Sequence, residues 1–363
     1  MTRRIRVAVL AGGRSSEHGI SLASARSVVE ALDPDRYETT AIKIGRSGRW
    51  ELASGAGALA GSDPWGLTPT TSEAEAPPGS DPTGLTPEVT ETLPVVADSA
   101  PAQALAQIDV VLPILHGPFG EDGTVQGLLE LADIPYVGAG VAASALCMDK
   151  DLFKAVLRDR GIPVARNVTL RDGDEPGHPF SYPVFVKPAR LGSSVGISKV
   201  HDEEELGPAV ELARRHDDKV LIEELLDGIE VECGVLGNRD PIASQVGEIV
   251  AHAEWYDYSA KYDVGGMELV IPARIPPEAR ERVRSIAVES FVATECEGMA
   301  RIDLFVLRSG EVVVNEINTI PGFTSTSVYA KLFEASGIPY GELLDRLIEL
   351  ALERHERRSA LEF

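Results

Sequence analysis

An α/β fold is predicted by three features of the sequence. A strand pattern, a Gly-rich turn and a helix pattern follow one another over residues 5–32. The same succession recurs over residues 109–132. Near the C-terminus two β-rich runs flank Ser309-Gly310 and read as an antiparallel hairpin. Strand–turn–helix units build layered α/β domains, and their turns lie at strand ends, where ligands bind. A length of 363 residues allows one to three domains and an ample core.

The first strand alternates through Ile5, Val7 and Val9. The start is basic, but the apolar run after it is short and ends at Gly12-Gly13, so it reads as a strand and not a signal peptide. A helix pattern runs from near Ser21 through Leu22, Ala25, Val28 and Leu32. The turn before it lacks the G-x-G-x-x-G spacing, so a dinucleotide fold is not indicated. Glu17 and His18, in that turn, are either ligand groups or caps. Residues 53–107 are rich in Gly, Pro, Ser, Thr and Ala, and Gly61-Ser62-Asp63-Pro64 recurs as Gly79-Ser80-Asp81-Pro82. This segment reads as a surface excursion inserted into the first domain.

Residues 109–115 form a buried strand pattern that runs into His116-Gly117-Pro118-Phe119-Gly120-Glu121-Asp122-Gly123 and a helix from Thr124 to about Ala132. Three glycines in so short a turn imply close backbone approach, and His116 is a binding candidate. Ser144 reads as the cap of a helix that carries Lys150, with Phe153 and Leu157 on its apolar stripe. A domain boundary is placed just before it, giving units at 1–143, 144–234 and 235–363.

A strand over 182–188 ends on Lys187 and leads into a Gly/Ser loop with Ser193 and Ser194. Backbone N–H groups, hydroxyls and a lysine so arranged suit a phosphate, although this is not a P-loop. The apolar strand at 220–226 closes on Glu223 and Glu224, with Glu230 beyond. Such carboxylates suit adenine and ribose donors; an exposed strand end would look the same. Residues 254–266 are aromatic and polar without a period, and read as a loop able to close over a site through Lys261 and Tyr262. Helices are expected from about Pro277 to Cys296 and from about Tyr340 to Arg357.

The hairpin carries the chemistry. A two-residue turn at Ser309-Gly310 pairs Phe305 with Val314, Asp303 with Glu316 and Arg301 with Asn318; a three-residue loop shifts the register by one. Opposed side chains on one face lie ~4.5–5.5 Å apart. Two carboxylates that close repel and are costly to bury without a cation. Asp, Glu and Asn oxygens suit Mg²⁺, which keeps substrate phosphates in its shell. Arg301 suits an anion beside that metal. The alternative is a surface hairpin with a solvated acidic pair.

Composition narrows the partners. Hydrophobic and charged contents of 44% and 25% are those of a globular protein. A net charge of −23 argues against sequence-independent nucleic-acid binding and against an anionic membrane surface. No apolar run is long enough to span a bilayer. Three separated cysteines, Cys147, Cys233 and Cys296, imply reduced thiols and the cytosol.

Long motifs now resemble those of the D-alanine–D-alanine ligases, which have an ATP-grasp fold. They are His116 to Gly127, Gly298 to Asp303, and Asn315 to Gly322, supported by Ser15 to His18, Lys187 to Gly196 and Tyr256 to Tyr262. The resemblance covers nearly all of the chain except 53–107. It implies a doubly wound N-terminal α/β domain followed by two α+β subdomains with ATP between them. It also implies two Mg²⁺ ions, replaceable by Mn²⁺, on Asp303, Glu316 and Asn318. Lys150 and Lys187 would contact phosphates, and Glu223, Leu226 and Glu230 adenine and ribose. Ser193, Ser194, Glu224, Lys261, Phe305 and Asn315 would complete the nucleotide site. Glu17, with His116 nearby, would bind the first D-alanine, Arg301 and the Gly322 N–H the oxyanion, and Ser327 the second carboxylate. Ser193 and Tyr262 would join Glu17 in one network. The branch that makes D-alanyl-D-lactate lacks Ala260-Lys261-Tyr262, so the dipeptide is the expected product. A cytoplasmic homodimer is implied. The departures are the 53–107 insertion and Leu191, where many relatives carry an acidic residue.

Overall fold

In the computed structural model, the described residues are 3–52, 105, 107–251 and 267–362. Most of the 53–107 insertion and the 254–266 loop, with Lys261 and Tyr262, lie outside them.

Among the described residues three sheets organise the fold. The first has the order β3-β2-β1-β4, from β1 (Ile5–Gly12), β2 (Tyr37–Ile44), β3 (Trp50–Leu52) and β4 (Val110–Ile114). β1 pairs in parallel with both β2 and β4, while β3 is an antiparallel edge. Alternation along β1 sends its side chains to two covered faces. Val7, Val9 and Ala11 pack with Leu22, Ala25 and Val28 of helix α1 (His18–Ala31). Ala8 and Leu10 pack with Val125 and Leu129 of α2 (Thr124–Leu131).

The second sheet is all antiparallel, ordered β5-β8-β6-β7, from β5 (Asn167–Leu170), β6 (Val184–Pro188), β7 (Ser198–Val200) and β8 (Val220–Glu224). One face is covered by α5 (Glu203–Arg214), through Leu206, Val210 and Ala213. The third sheet, ordered β11-β10-β9-β12-β13, comprises β9 (Gly228–Gly237), β10 (Ile242–Ala251), β11 (Met267–Val270), β12 (Gly298–Leu307) and β13 (Val312–Asn318). Its apolar face packs on α6 (Pro277–Ala293) through Val283, Ile286, Ala287 and Phe291. The boundary read at 234/235 falls inside β9.

Two expectations need correction. The helix expected to start at Ser144 is two helices, α3 (Val141–Met148) and α4 (Lys150–Asp159). Ser144 sits inside α3. The cap is Asp149, whose Oδ1 accepts from the N–H groups of Asp151 and Leu152, both at 3.2 Å. Asp is a strong N-cap because its carboxylate satisfies donors that the first turn leaves free. The strand read at 220–226 ends at Glu224, so Leu226 lies half-buried in the link to β9.

Two helices close the chain, α7 (Val328–Glu334) and α8 (Tyr340–Ser359). The α8 stripe Leu343, Leu344, Leu347, Ile348 and Ala351 joins the cluster on the α1 side of the first sheet. The buried Arg354 fastens it further, donating to the carbonyls of Gly138 and Tyr136, the latter at 2.8 Å. Leu347 is fully buried in that cluster. Leu347→Ala should therefore lower stability by about 2–5 kcal/mol, the usual cost of a buried Leu truncation. Urea unfolding measures it, and a loss below about 1 kcal/mol would show that α8 does not close this core.

Candidate active site

The end hairpin reaches its register by two steps. Leu307 N–H donates to the Glu311 carbonyl, and Gly310 N–H to the Leu307 carbonyl, both at 2.9 Å. Gly310 has φ of +86°, the left-handed geometry that closes a three-residue loop over Arg308–Gly310. The two-residue turn is thus corrected, and Phe305 pairs with Val313, not Val314. A β-bulge then leaves Asn315 as the extra residue and shifts the register back. Beyond the bulge Asp303 pairs with Glu316 and Arg301 with Asn318. On its other side Asp303 pairs with Glu232 of β9. Three adjacent strands therefore carry Glu232, Asp303 and Glu316 in one row.

Each of these carboxylates has a cation. Arg301 Nε and Nη2 donate to the two oxygens of Asp303 at 2.7 Å each. Arg301 Nε also lies 2.9 Å from Glu232 Oε2. Asn318 Nδ2 donates to Asp303 Oδ2 at 2.9 Å, which puts both on one face. Lys150 Nζ is 2.9 Å from Glu316 Oε1 and donates to the Leu191 carbonyl at 2.8 Å. Burial works against the Arg301 charge, but Asp303 and Glu232 outweigh it and raise its pKa well above the ordinary value. Asp303, Glu316 and Asn318 form an all-oxygen donor set on one face, which fits a hard divalent cation. Phe305 follows on that face, opposite Glu230 of β9.

Other segments converge here. The loop after β6 places Ser193 and Ser194 at φ of 53° and 57°, sparsely populated values for side-chain-bearing residues. There Ser193 Oγ donates to Glu17 Oε1 at 2.5 Å. The Glu17 carboxylate also lies against Gly117, where a Cβ would stand 2.8 Å from Oε2. His18 Nδ1 bonds the Gly13 carbonyl at 2.7 Å, so His18 closes its own turn. His116 is buried between the Ile320 carbonyl, 3.0 Å from Nδ1, and Ser24 Oγ, 3.3 Å from Nε2. Burial pulls its pKa down, against the attraction of Glu17. Gly322 neighbours Ser327, whose Oγ accepts from Thr324 N–H at 2.9 Å. Gly117, Glu121, Gly192, Glu316 and Asn318 line one small cavity.

Strand alternation separates the two acids of β8. Glu224 accepts from the Arg166 backbone and Nε at 3.0 and 2.8 Å. Glu223 is buried between Lys154 and Lys187. Burial pushes the Glu223 pKa up, but the two lysines overcome it and hold it below the usual carboxylate value. Burial takes Lys154 the other way, to about 8.

Sequence reasoning missed Lys154, Glu232 and Glu121. For Lys154 there was a signal: with Phe153 and Leu157 it falls on the buried stripe of α4, where a lysine needs an acid partner. For Glu232 there was none, because the β9–β12 pairing is not readable locally. Glu121 accepts from Gly117 N–H at 2.7 Å and Ile320 N–H at 3.0 Å, joining the two Gly-containing turns.

Comparisons with known proteins give the family. The chain matches the D-ala D-ala ligase N-terminus family over residues 6–139 and the D-ala D-ala ligase C-terminus family over residues 156–349. The chain belongs to the D-alanine–D-alanine ligase family. It is similar to the D-alanine–D-alanine ligase A of Chromobacterium violaceum, with 47% identity over 99% of this chain and 98% of that protein. Its fold, the ATP-grasp fold, is that of the D-alanine-D-alanine ligase from Coxiella burnetii. That structure is 35% identical, with a TM-score of 0.79 over 98% of this chain and 96% of that one. The VanG D-Ala:D-Ser ligase from Enterococcus faecalis is also similar, at 34% identity and a TM-score of 0.76, over 96% of this chain and 100% of that one.

Burial and the nearby Glu17 charge push the Glu121 carboxyl up to about 8. An acid whose folded pKa is raised binds more protons folded than unfolded between its ordinary value and about 8. Stability from this group is therefore present at low pH and lost as pH rises through that window. Glu121→Gln should flatten the fall in urea midpoint between pH 5 and 8. An unchanged slope would show that Glu121 does not titrate there.

Proposed function

We propose that this protein is an ATP-dependent D-alanine–D-alanine ligase, releasing ADP and phosphate. The observation that carries the reading is one face holding Arg301, Asp303, Glu316 and Asn318, with Lys150 and the Ser193–Glu17 contact across it. A carboxylate is a poor electrophile, so it is first phosphorylated by ATP, and the amine of the second D-alanine then attacks the D-alanyl phosphate. Two anions meet in the first step, and positioned cations offset their repulsion. Asp303, Glu316 and Asn318 would hold two Mg²⁺ ions, which Mn²⁺ could replace and which would supply neutralisation of phosphate charge.

Lys150 and Lys187 take phosphate oxygens, with the Ser193-Ser194 loop above them. Glu223, Leu226 and Glu230 hold adenine and ribose, and Glu224, Phe305, Asn315 and Lys261 complete the nucleotide site. Glu17 binds the ammonium of the first D-alanine beside His116. Arg301 and the Gly322 N–H stabilise the tetrahedral oxyanion, and Ser327 binds the second carboxylate. Acyl phosphates hydrolyse readily, so water must be excluded. The Ser193 loop, held to Glu17, is one closure, and Tyr262 belongs to a second. The working unit is a cytoplasmic homodimer of three-domain chains. Among the described residues no helix is long and apolar enough to cross a membrane. D-Serine is the competing acceptor to measure, because a similar structure is that of a D-Ala:D-Ser ligase.

Phosphate release should depend on D-alanine and be absent with L-alanine. ATP binding without that release would favour a nucleotide sensor. With D-serine or D-lactate in competition, D-alanyl-D-alanine should dominate by mass spectrometry; a depsipeptide as main product at neutral pH would refute the assignment. Glu316→Ala should lower kcat about a thousandfold or more with the fold intact, since metal-borne charge stabilisation is several kcal/mol. Near-normal turnover at saturating Mg²⁺ would remove Glu316 from the metal site.

A further inference from the structure

We propose that Glu232 is a positioning residue: it keeps Arg301 in place when Asp303 is given over to the divalent cation. The inference rests on the metal and oxyanion roles assigned above, and it concerns a residue to which they give no part.

Asp303 is asked to do two things. Both of its oxygens accept from Arg301, at 2.7 Å each, and Oδ2 accepts from Asn318 as well. A carboxylate offers about four lone-pair sites, and a cation ligated there takes some and repels the guanidinium. Arg301 then loses much of its grip on Asp303 and needs a second anchor. Glu232 stands in the same row, one strand over, with Oε2 2.9 Å from Arg301 Nε. Its side chain is 9% exposed, and that of Arg301 19%. So buried a carboxylate is expensive without a cation, and Arg301 supplies it. Glu316, the third acid of the row, is already paired with Lys150. Lys150 comes from α4 and Arg301 from β12, so the two cations divide the row between them.

The arrangement makes a prediction that simple charge balance does not. Without Glu232, Arg301 leans harder on Asp303 and competes with the cation for it. Loss of Glu232 should therefore weaken metal binding through Arg301. Removing any negative charge nearby would also weaken it, but without regard to Arg301. A double-mutant cycle separates the two.

The measurement is Mn²⁺ affinity by electron paramagnetic resonance, on full-length protein with a non-hydrolysable ATP analogue. Glu232→Gln should raise the Mn²⁺ Kd and lower kcat, each by about 10-fold or more, as outer-shell partners of metal ligands do. The KM for ATP should move much less. In an Arg301→Met background the same substitution should leave Mn²⁺ affinity nearly unchanged. Equal weakening in both backgrounds would overturn the proposal, as would a Glu232→Gln protein with wild-type Mn²⁺ affinity and kcat. Should Glu232→Gln fail to fold, Glu232→Asp carries the test: its carboxylate retreats by one methylene, and a smaller weakening in the same direction is expected. Wild-type affinity in that variant would refute the role. Failure of the ligase reading would show separately, as wild-type protein that releases no D-alanine-dependent phosphate.

Discussion

Burying acids in a row demands cations at fixed places, and the catalytic half of this fold is arranged to meet that demand. Glu232, Asp303 and Glu316 occupy one row across β9, β12 and β13. Arg301 answers the first two from β12, and Lys150 answers the third from the first position of α4. Where α4 begins is itself set by charge. Asp149 caps it with Oδ1, while Oδ2 accepts from the buried Lys219 at 2.6 Å. A chain of ionic contacts thus runs from the approach to β8, through a helix cap, to the hairpin. Removing one member of such a buried pair costs more than the pair contributes, because the survivor is left uncompensated.

Much of this was legible in the sequence. Opposite-sign and amide side chains at period two predicted the shared face, and the pairs Asp303–Glu316 and Arg301–Asn318 stand as read. They do so for a reason the pattern did not contain. A three-residue loop displaced the register by one, and the Asn315 bulge restored it. A period-two pattern has no mark for an extra residue, so the two shifts were invisible together. The break at Asp149 was readable in principle, because Asp prefers the N-cap. The apolar stripe continuing from α3 into α4 hid it. The role of Glu232 depends on which strand lies beside β12, and strand order is a property of the whole fold. The readings on 53–104 and on Lys261 and Tyr262 concern residues outside those described.

Beside the apolar seam made by α8, polar joints at the site tie the α/β unit to the rest. Glu121 links the turn after β4 to the segment after β13, and His116 reaches the same Ile320. Ser193 comes from the second sheet to Glu17, held in a backbone conformation that only its surroundings make tolerable. Parts of a site that must meet and part again are well served by such polar contacts. They are directional, they exchange for water, and each contributes only about 0.5–1.5 kcal/mol net.

The final helix has a consequence for how the protein is made. One face of the first sheet, formed by the earliest strands, is covered in part by α8, from the last residues of the chain. During synthesis that face emerges from the ribosome long before its cover does. The early strands pass through a state with apolar surface exposed, the condition in which nascent chains aggregate or recruit chaperones. The acidic excess of the chain gives that state mutual repulsion between copies, and so a physical means of surviving until the last turn arrives.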